Sequence, residues 1–125
     1  MKRIAVTGAG GFIGRALVAM LRARGYGVIA LGRSASELRF PEDVELRTFD
    51  PNAGDPDARA FDQAYAVVHL AGETVAGRWT AEKKRAIYDS RIRGTRKAVA
   101  SCALAEEPPS VFICSSATGY YGSRG

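Results

Sequence analysis

One short segment limits what this chain can become. Thr7-Gly8-Ala9-Gly10-Gly11-Phe12-Ile13-Gly14 sits between an apolar run and an amphipathic repeat. Ahead of it, Ile4-Ala5-Val6 reads as a buried strand closed by Thr7-Gly8. Behind it, Gly11 to Arg24 has helical spacing, with Ile13, Leu17, Met20 and Leu21 on one face and Gly25 where a C-terminal cap belongs. A strand that turns straight into a helix points the helix's free N–H groups and dipole at the strand's end, ready for an anion. The spacing Gly8-x-x-Gly11-x-x-Gly14 then has a reason at each position. Gly8 allows the tight turn, Gly11 lets a pyrophosphate approach the backbone, and Gly14 lets helix and strand pack closely. Phe12 and Ile13 lie beside them in the first helical turn, so Gly8, Gly11, Phe12, Ile13 and Gly14 are the candidate phosphate-binding residues. The alternative, a glycine-rich turn with no ligand, leaves this strand-and-helix context without a purpose.

The rest of the chain repeats the alternation. Val28-Ile29-Ala30-Leu31 reads as a second strand, and Val44 to Phe49 alternates in polarity and gives a third, nearer an edge. Pro51 to Asp57 reads as a loop, and a short helix is expected around Ala58–Gln63. Val67 to Ala71 reads as a fourth strand. Thr80 can cap a long helix running to about Ala105, with Tyr88, Ile92, Thr95, Val99 and Cys102 as its apolar face and Pro108-Pro109 as its stop. Val111 to Cys114 reads as a fifth strand, and Ser115 to Gly125 as loop. Alternating strands and helices imply parallel pairing with right-handed crossovers. The expected fold is therefore α/β: a Rossmann-type doubly wound sheet of order 3-2-1-4-5 in a three-layer αβα arrangement, one domain over residues 1–125.

The end of the second strand bears on the ligand. An NAD site usually places Asp or Glu there to accept hydrogen bonds from the ribose hydroxyls. This chain has Leu31-Gly32-Arg33-Ser34, and Glu37 is too far along. Arg33 can pair with a 2′-phosphate and Ser34 can donate to it, so NADP(H) is preferred, with NAD(H) still open. Arg33 as a solvated loop residue is the competing reading.

Four later segments occur in order: His69-Leu70-Ala71-Gly72-Glu73, Arg78-Trp79-Thr80, Ser90-Arg91-Ile92-Arg93-Gly94-Thr95-Arg96, and Ser116-Ala117-Thr118-Gly119-Tyr120-Tyr121-Gly122. With the glycine turn, they make the chain resemble the atypical, epimerase-like extended short-chain dehydrogenase/reductases. Members of that NAD-dependent epimerase/dehydratase-like group are often named epimerase family proteins and, misleadingly, cell division inhibitors. The resemblance spans the whole chain. It implies an Asp at position 50 that contacts the adenine amino group, although Asp50 could equally cap a turn, and it places Leu70, Ala71 and Gly72 beside the ribose and nicotinamide. It also implies a catalytic hydroxyl just after the fifth strand, where Ser116 is favoured over Thr118; the competing reading is that Ser115, Ser116 and Thr118 only satisfy backbone groups in a turn. Two departures stand out. Arg91 occupies a position where many extended members carry Asn, and Ala117 stands where the counted spacing puts the catalytic hydroxyl.

The superfamily's acid/base pair is Tyr-x-x-x-Lys. No tyrosine of these 125 residues has a lysine four positions on; Tyr120 with Arg124 is the nearest imitation. The chain is therefore expected to be the N-terminal, NADP(H)-binding part of an oxidoreductase or nucleotide-sugar-epimerase-like protein, without its C-terminal substrate-binding part. It is expected to hold the cofactor without turning over a substrate by itself. A non-catalytic NADP(H)-binding or redox-sensing module is the alternative.

Charge and cysteines narrow the partners. Arg78 to Lys97 carries eight basic residues against Glu82 and Asp89, so the rest of a chain of net charge +5 is close to neutral. Such a stretch on a long helix reads as a solvated face, and no recognised nucleic-acid motif accompanies it. No apolar run reaches the ~18 residues a membrane span needs. The expected partner is a small-molecule substrate in the full-length protein, with no specific nucleic acid, no membrane and no metal; a homodimer is left open. No secretory signal precedes the first strand, and Cys102 and Cys114 lack metal or redox spacing, which points to the cytoplasm. Cys114 reads as a core residue, and so does His69, inside its apolar strand.

Overall fold

A computed structural model describes residues 2–51, 54–70 and 81–114. Its elements in chain order are β1 (Arg3–Thr7), α1 (Phe12–Ala23), β2 (Gly27–Gly32), β3 (Glu45–Thr48), β4 (Ala66–His69), α2 (Ala81–Leu104) and β5 (Val111–Cys114), with a 3₁₀ turn at Ala35–Glu37. The strands form one parallel sheet in the order β3-β2-β1-β4-β5, as expected. The register aligns Thr7 with Leu31 and His69, and His69 with Cys114. Four strands thus end together at one edge. The chain winds outward from β1 through β2 to β3, then crosses back to β4, so the two directions part between β1 and β4. In such sheets that parting point leaves a crevice at the strands' carboxyl ends.

The central strands β1, β2 and β4 are largely buried on both faces, as strands inside parallel sheets are. One face packs Ile4, Val6, Val28, Ala30 and Ala66 against Val18 and Leu21 of α1. The other packs Ala5, Ile29, Leu31 and Val67 with Phe49, Phe61 and Ala98 of α2. That makes three layers. Gly25 closes α1 with φ 88°, and Tyr26 N–H reaches back to the Leu21 carbonyl at 3.1 Å.

Both helices match the expected face only in part. Leu21 and the partly buried Leu17 of α1 pack inward as expected, and so does the partly buried Cys102 of α2 against the other core. In α1, Gly14, Val18 and Leu21 are buried, whereas Ile13 and Met20 are exposed (67% and 45%). In α2, Gly94, Ala98 and Ser101 are buried, and Tyr88 and Val99 are exposed (57% and 50%). The reason is distance. α2 lies so close to the loop after β3 that a Cβ on Gly94 would come within 2.9 Å of Pro51 Cβ, with His69 Nε2 of β4 in ordinary contact at 3.7 Å. Only small side chains fit there, so the large apolar ones turn outward.

Two further expectations are corrected. Residues 58–63 form turns, not a helix. Arg47 Nη1 takes the carbonyls of Arg59, Ala60 and Asp62 at 3.0–3.2 Å, oxygens a helix could not all aim at one point, and Gln63 adopts φ 67°. Cys114 is exposed rather than buried. It ends β5, an edge strand among the described residues, with Thr95 Oγ1 3.7 Å from its sulfur.

Because the α2 contact has no room for a branched side chain, Gly94→Val should destabilise the fold by roughly 1–3 kcal/mol through overpacking. Thermal denaturation followed by circular dichroism checks this; an unchanged melting temperature would mean that α2 stands off the Pro51 loop.

Candidate functional site

The glycine turn is built by its own backbone. Gly8 adopts φ 66°, which a side chain would disfavour. Ala9 N–H donates to Leu31 O (3.2 Å), tying the turn to β2, and Gly11 N–H donates to Gly8 O (3.1 Å). Gly14 sits where α1 meets the turn: a Cβ there would lie 2.3 Å from Gly8 O and 2.7 Å from Ala9 Cα. Gly11 is different. A Cβ on it would meet nothing nearer than Gly8 O at 3.5 Å, so its missing side chain leaves space on the outer side.

Gly11 is also the N-cap of α1, with no side chain to cap the helix and no acidic residue in the first turn. The N–H groups of Phe12, Ile13 and Gly14 have no intrahelical acceptor by the geometry of a helix start. Phe12 (86% exposed) and Ile13 flank this opening. Uncapped donors, a positive dipole end and a cleared approach are what an anion needs.

Around this turn the sheet brings together the ends of β2, β3 and β4. Arg33 is exposed immediately after β2, and Ser34 follows with its hydroxyl 3.0 Å from that of Ser36. Asp50 is half-buried after β3, its carbonyl accepting from Lys97 Nζ at 2.6 Å. Leu70 is half-buried after β4, its N–H donating to Thr7 Oγ1 at 2.9 Å. Ala71, Gly72, Ser116 and Tyr120 lie outside the described residues, as do Ser115 and Thr118. Among the described residues no group of three or more His, Cys, Asp or Glu could hold a metal ion, and no helix is long and apolar enough to cross a membrane.

Beneath the β1 and β4 ends lies a buried polar cluster. His69 is 3% exposed, and its Nδ1 is 2.8 Å from Thr7 Oγ1. Burial and then the nearby Arg91 guanidinium push its pKa down to about 4. His69 Nε2 and Arg91 Nε are both buried without a hydrogen-bond partner among the described residues. A neutral ring held by Thr7, which also takes the Leu70 N–H, fixes where the chain leaves β4. This is a structural job, as expected for His69, and not that of a proton donor near neutral pH.

Sequence reasoning missed Leu38. Its side chain is buried (7% exposed) against the positions where a Cβ on Gly10 or on Gly32 would stand, 3.1 Å from each. Two glycines on separate elements and one leucine between them hold the loop after β2 against the glycine turn. The available signal was Leu38 as the sole large apolar residue between Gly32 and Phe40.

Compared with known proteins, residues 4–125 match the NAD dependent epimerase/dehydratase family. The chain belongs to that family. An epimerase family protein of Mycobacterium bovis is 37% identical, the match covering 96% of this chain and 38% of that protein. The crystal structure of the human epimerase family protein SDR39U1 (isoform 2) with NADPH superposes with a TM-score of 0.68 at 29% identity, over 95% of this chain and 38% of that one. An Agrobacterium tumefaciens short-chain dehydrogenase/reductase with bound NAD gives a TM-score of 0.69 at 26% identity, over 95% of this chain and 34% of that one. The chain thus spans 38% of the length of the curated mycobacterial relative.

Two outcomes follow from these contacts. Gly14→Ala should lower stability by about 1–3 kcal/mol, because the clash is with backbone, while Gly11→Ala should melt like the native chain; equal melting of the two variants would refute the packing argument. His69 is neutral when folded and takes a proton in the unfolded chain below pH ~6.5. Its contribution is therefore complete above that pH and falls as pH drops toward 4, with a slope of at most about 1.4 kcal/mol per pH unit. The carboxylates Asp43 and Glu45, held low by Arg22 and by Arg47 and Arg3, lose theirs only at lower pH still. Denaturant titrations between pH 7 and 4 should show this slope and lose it in His69→Gln.

Proposed function

We propose that this chain binds NADP(H) in preference to NAD(H), as the nucleotide-binding part of an oxidoreductase- or epimerase-like member of its family. The observation that carries the reading is the opening at the start of α1: no Cβ on Gly11, no capping side chain and no first-turn acid. The residues fit a dinucleotide. Backbone N–H groups of Phe12, Ile13 and Gly14 would hold the pyrophosphate. Arg33 and Ser34 would hold the 2′-phosphate, since no acid stands at the end of β2 to compete for the ribose. Asp50 would accept from the adenine amino group, and Leu70, with Ala71 and Gly72, would border the nicotinamide ribose.

The human relative crystallised with NADPH supports this choice, and the Agrobacterium structure with NAD supports the wider class. The bound nicotinamide would supply or accept the hydride. Ser116 is proposed as the hydroxyl facing a small-molecule substrate, with Tyr120 as a weaker candidate. The proposed setting is cytoplasmic.

Calorimetric titration tests the proposal. NADPH should bind at least about tenfold more tightly than NADH, because a charge-assisted hydrogen bond contributes ~1.5–3 kcal/mol. Arg33→Ala should weaken NADPH and leave NADH nearly unchanged. Gly11→Val should remove binding of both while the chain stays folded, since the branched side chain would occupy the pyrophosphate's place. Equal affinities in the native chain, or normal binding by a folded Gly11→Val, would refute the reading.

A further inference from the structure

We infer that Lys97 of α2 is a positioning residue for the adenine end of the cofactor: its ammonium ties down the loop after β3, so that Asp50 is held ready for the adenine amino group. This rests on the cofactor reading above and adds a residue on a helix to which that reading gives no part. The sheet cannot hold this loop by itself. The last bond joining the end of β3 to β2 is Phe49 N–H to Gly32 O, at 2.7 Å. Helix α2 takes over from there. Gly94 packs on Pro51, Lys97 Nζ donates to Asp50 O at 2.6 Å, and Ser101 Oγ accepts from Asp57 N–H at 2.9 Å. Residues three and four apart share one face of a helix. Positions 94, 97 and 101 therefore form a single row along the departing chain.

Of these three contacts, the Lys97 bond is the one made to Asp50 itself. The same ammonium lies 5.1 Å from the centroid of the Phe49 ring, which is buried against Phe61. One half-buried cation thus holds two consecutive residues, by the ring of the first and the carbonyl of the second. Gly54 returns to it as well: a Cβ there would lie 3.9 Å from Lys97 Nζ. Phe49, Asp50 and Gly54 all approach one nitrogen. Pro51 adds a restraint from the other direction, because the residue before a proline is confined to extended backbone. Asp50 therefore has its backbone fixed and its carbonyl tied to α2. A carboxylate on a fixed backbone has only its own side-chain torsions to lose when it accepts a hydrogen bond from a ligand.

The probes are NADPH and its hypoxanthine analogue, in which an oxo group replaces the adenine amino group, titrated calorimetrically into the full chain. The native chain should bind NADPH about tenfold more tightly than the analogue, and Asp50→Ala should erase that difference. Lys97→Met keeps the stem and removes the donor. It should weaken NADPH by about three- to tenfold and leave the analogue within about twofold. Lys97→Arg keeps a cationic donor and should restore part of the loss. Should Lys97→Met not fold, Lys97→Gln, with a donor on a shorter stem, takes its place and should show the same selective loss at smaller size. Equal weakening of both ligands would overturn the proposal, because a contact that serves only the fold cannot tell an amino group from an oxo group. Undiminished NADPH binding by the folded variant would overturn it too. If Asp50→Ala erases the preference while the Lys97 variants keep it, only the role of Lys97 falls. If the native chain binds both ligands equally, the Asp50 contact falls and takes this proposal with it. If it binds neither, the cofactor reading falls as well.

Discussion

The contact between α1 and the glycine turn is the constraint on which the candidate site depends. With Gly8 O and Ala9 Cα this close to Gly14, the helix start can sit directly on the end of β1. That closeness aims the first-turn N–H groups at the point where the sheet's winding reverses. A larger residue would push the helix out and move its positive end away from the crevice. The 3.5 Å clearance at Gly11 belongs to the same geometry seen from outside: the backbone that is crowded toward the strand is open on its outer side.

The opposite face follows the same rule with another helix. α2 approaches the sheet on Gly94, Ala98 and Ser101, and Ser101 Oγ accepts from Asp57 N–H at 2.9 Å, so one small polar residue both fits and orders the preceding loop. The close approach also buries His69 beneath the end of β4. In that position its ring cannot easily hold a proton, and its bond to Thr7 joins the two strands that flank the crevice. Both helices therefore set the site's shape through residues with little or no side chain.

Electrostatics divides the arginines by role. Those at the β3 edge and at the end of α1 are paired with Asp43 and Glu45, and Arg47 also gathers the carbonyls of residues 59, 60 and 62. Exposed pairs of this kind add little stability. They do give an edge strand charged side chains, which discourages pairing with another sheet. The arginines of the loop after β2, Arg33 and Arg39, form no ion pair among the described residues.

The sheet order, the helix start and the residues around the glycine turn were legible in the sequence because each follows from local chemistry. Continuous apolar runs mark buried strands and alternation marks one nearer an edge, and glycine spacing marks a turn that must be tight, open and closely packed in that order. Which helical face is buried was legible only in part. Apolar size placed Leu21 correctly but also suggested Ile13, Met20, Tyr88 and Val99, whereas close packing selected Gly14 and Val18 in α1 and Gly94, Ala98 and Ser101 in α2. The segment at 58–63 had helical composition, but a guanidinium from β3, twelve or more residues away, claimed its carbonyls. Leu38 gained its position only when two distant glycines were brought to either side of it. Local chemistry specified which elements form, and the separation between packed elements decided which side chains they could use.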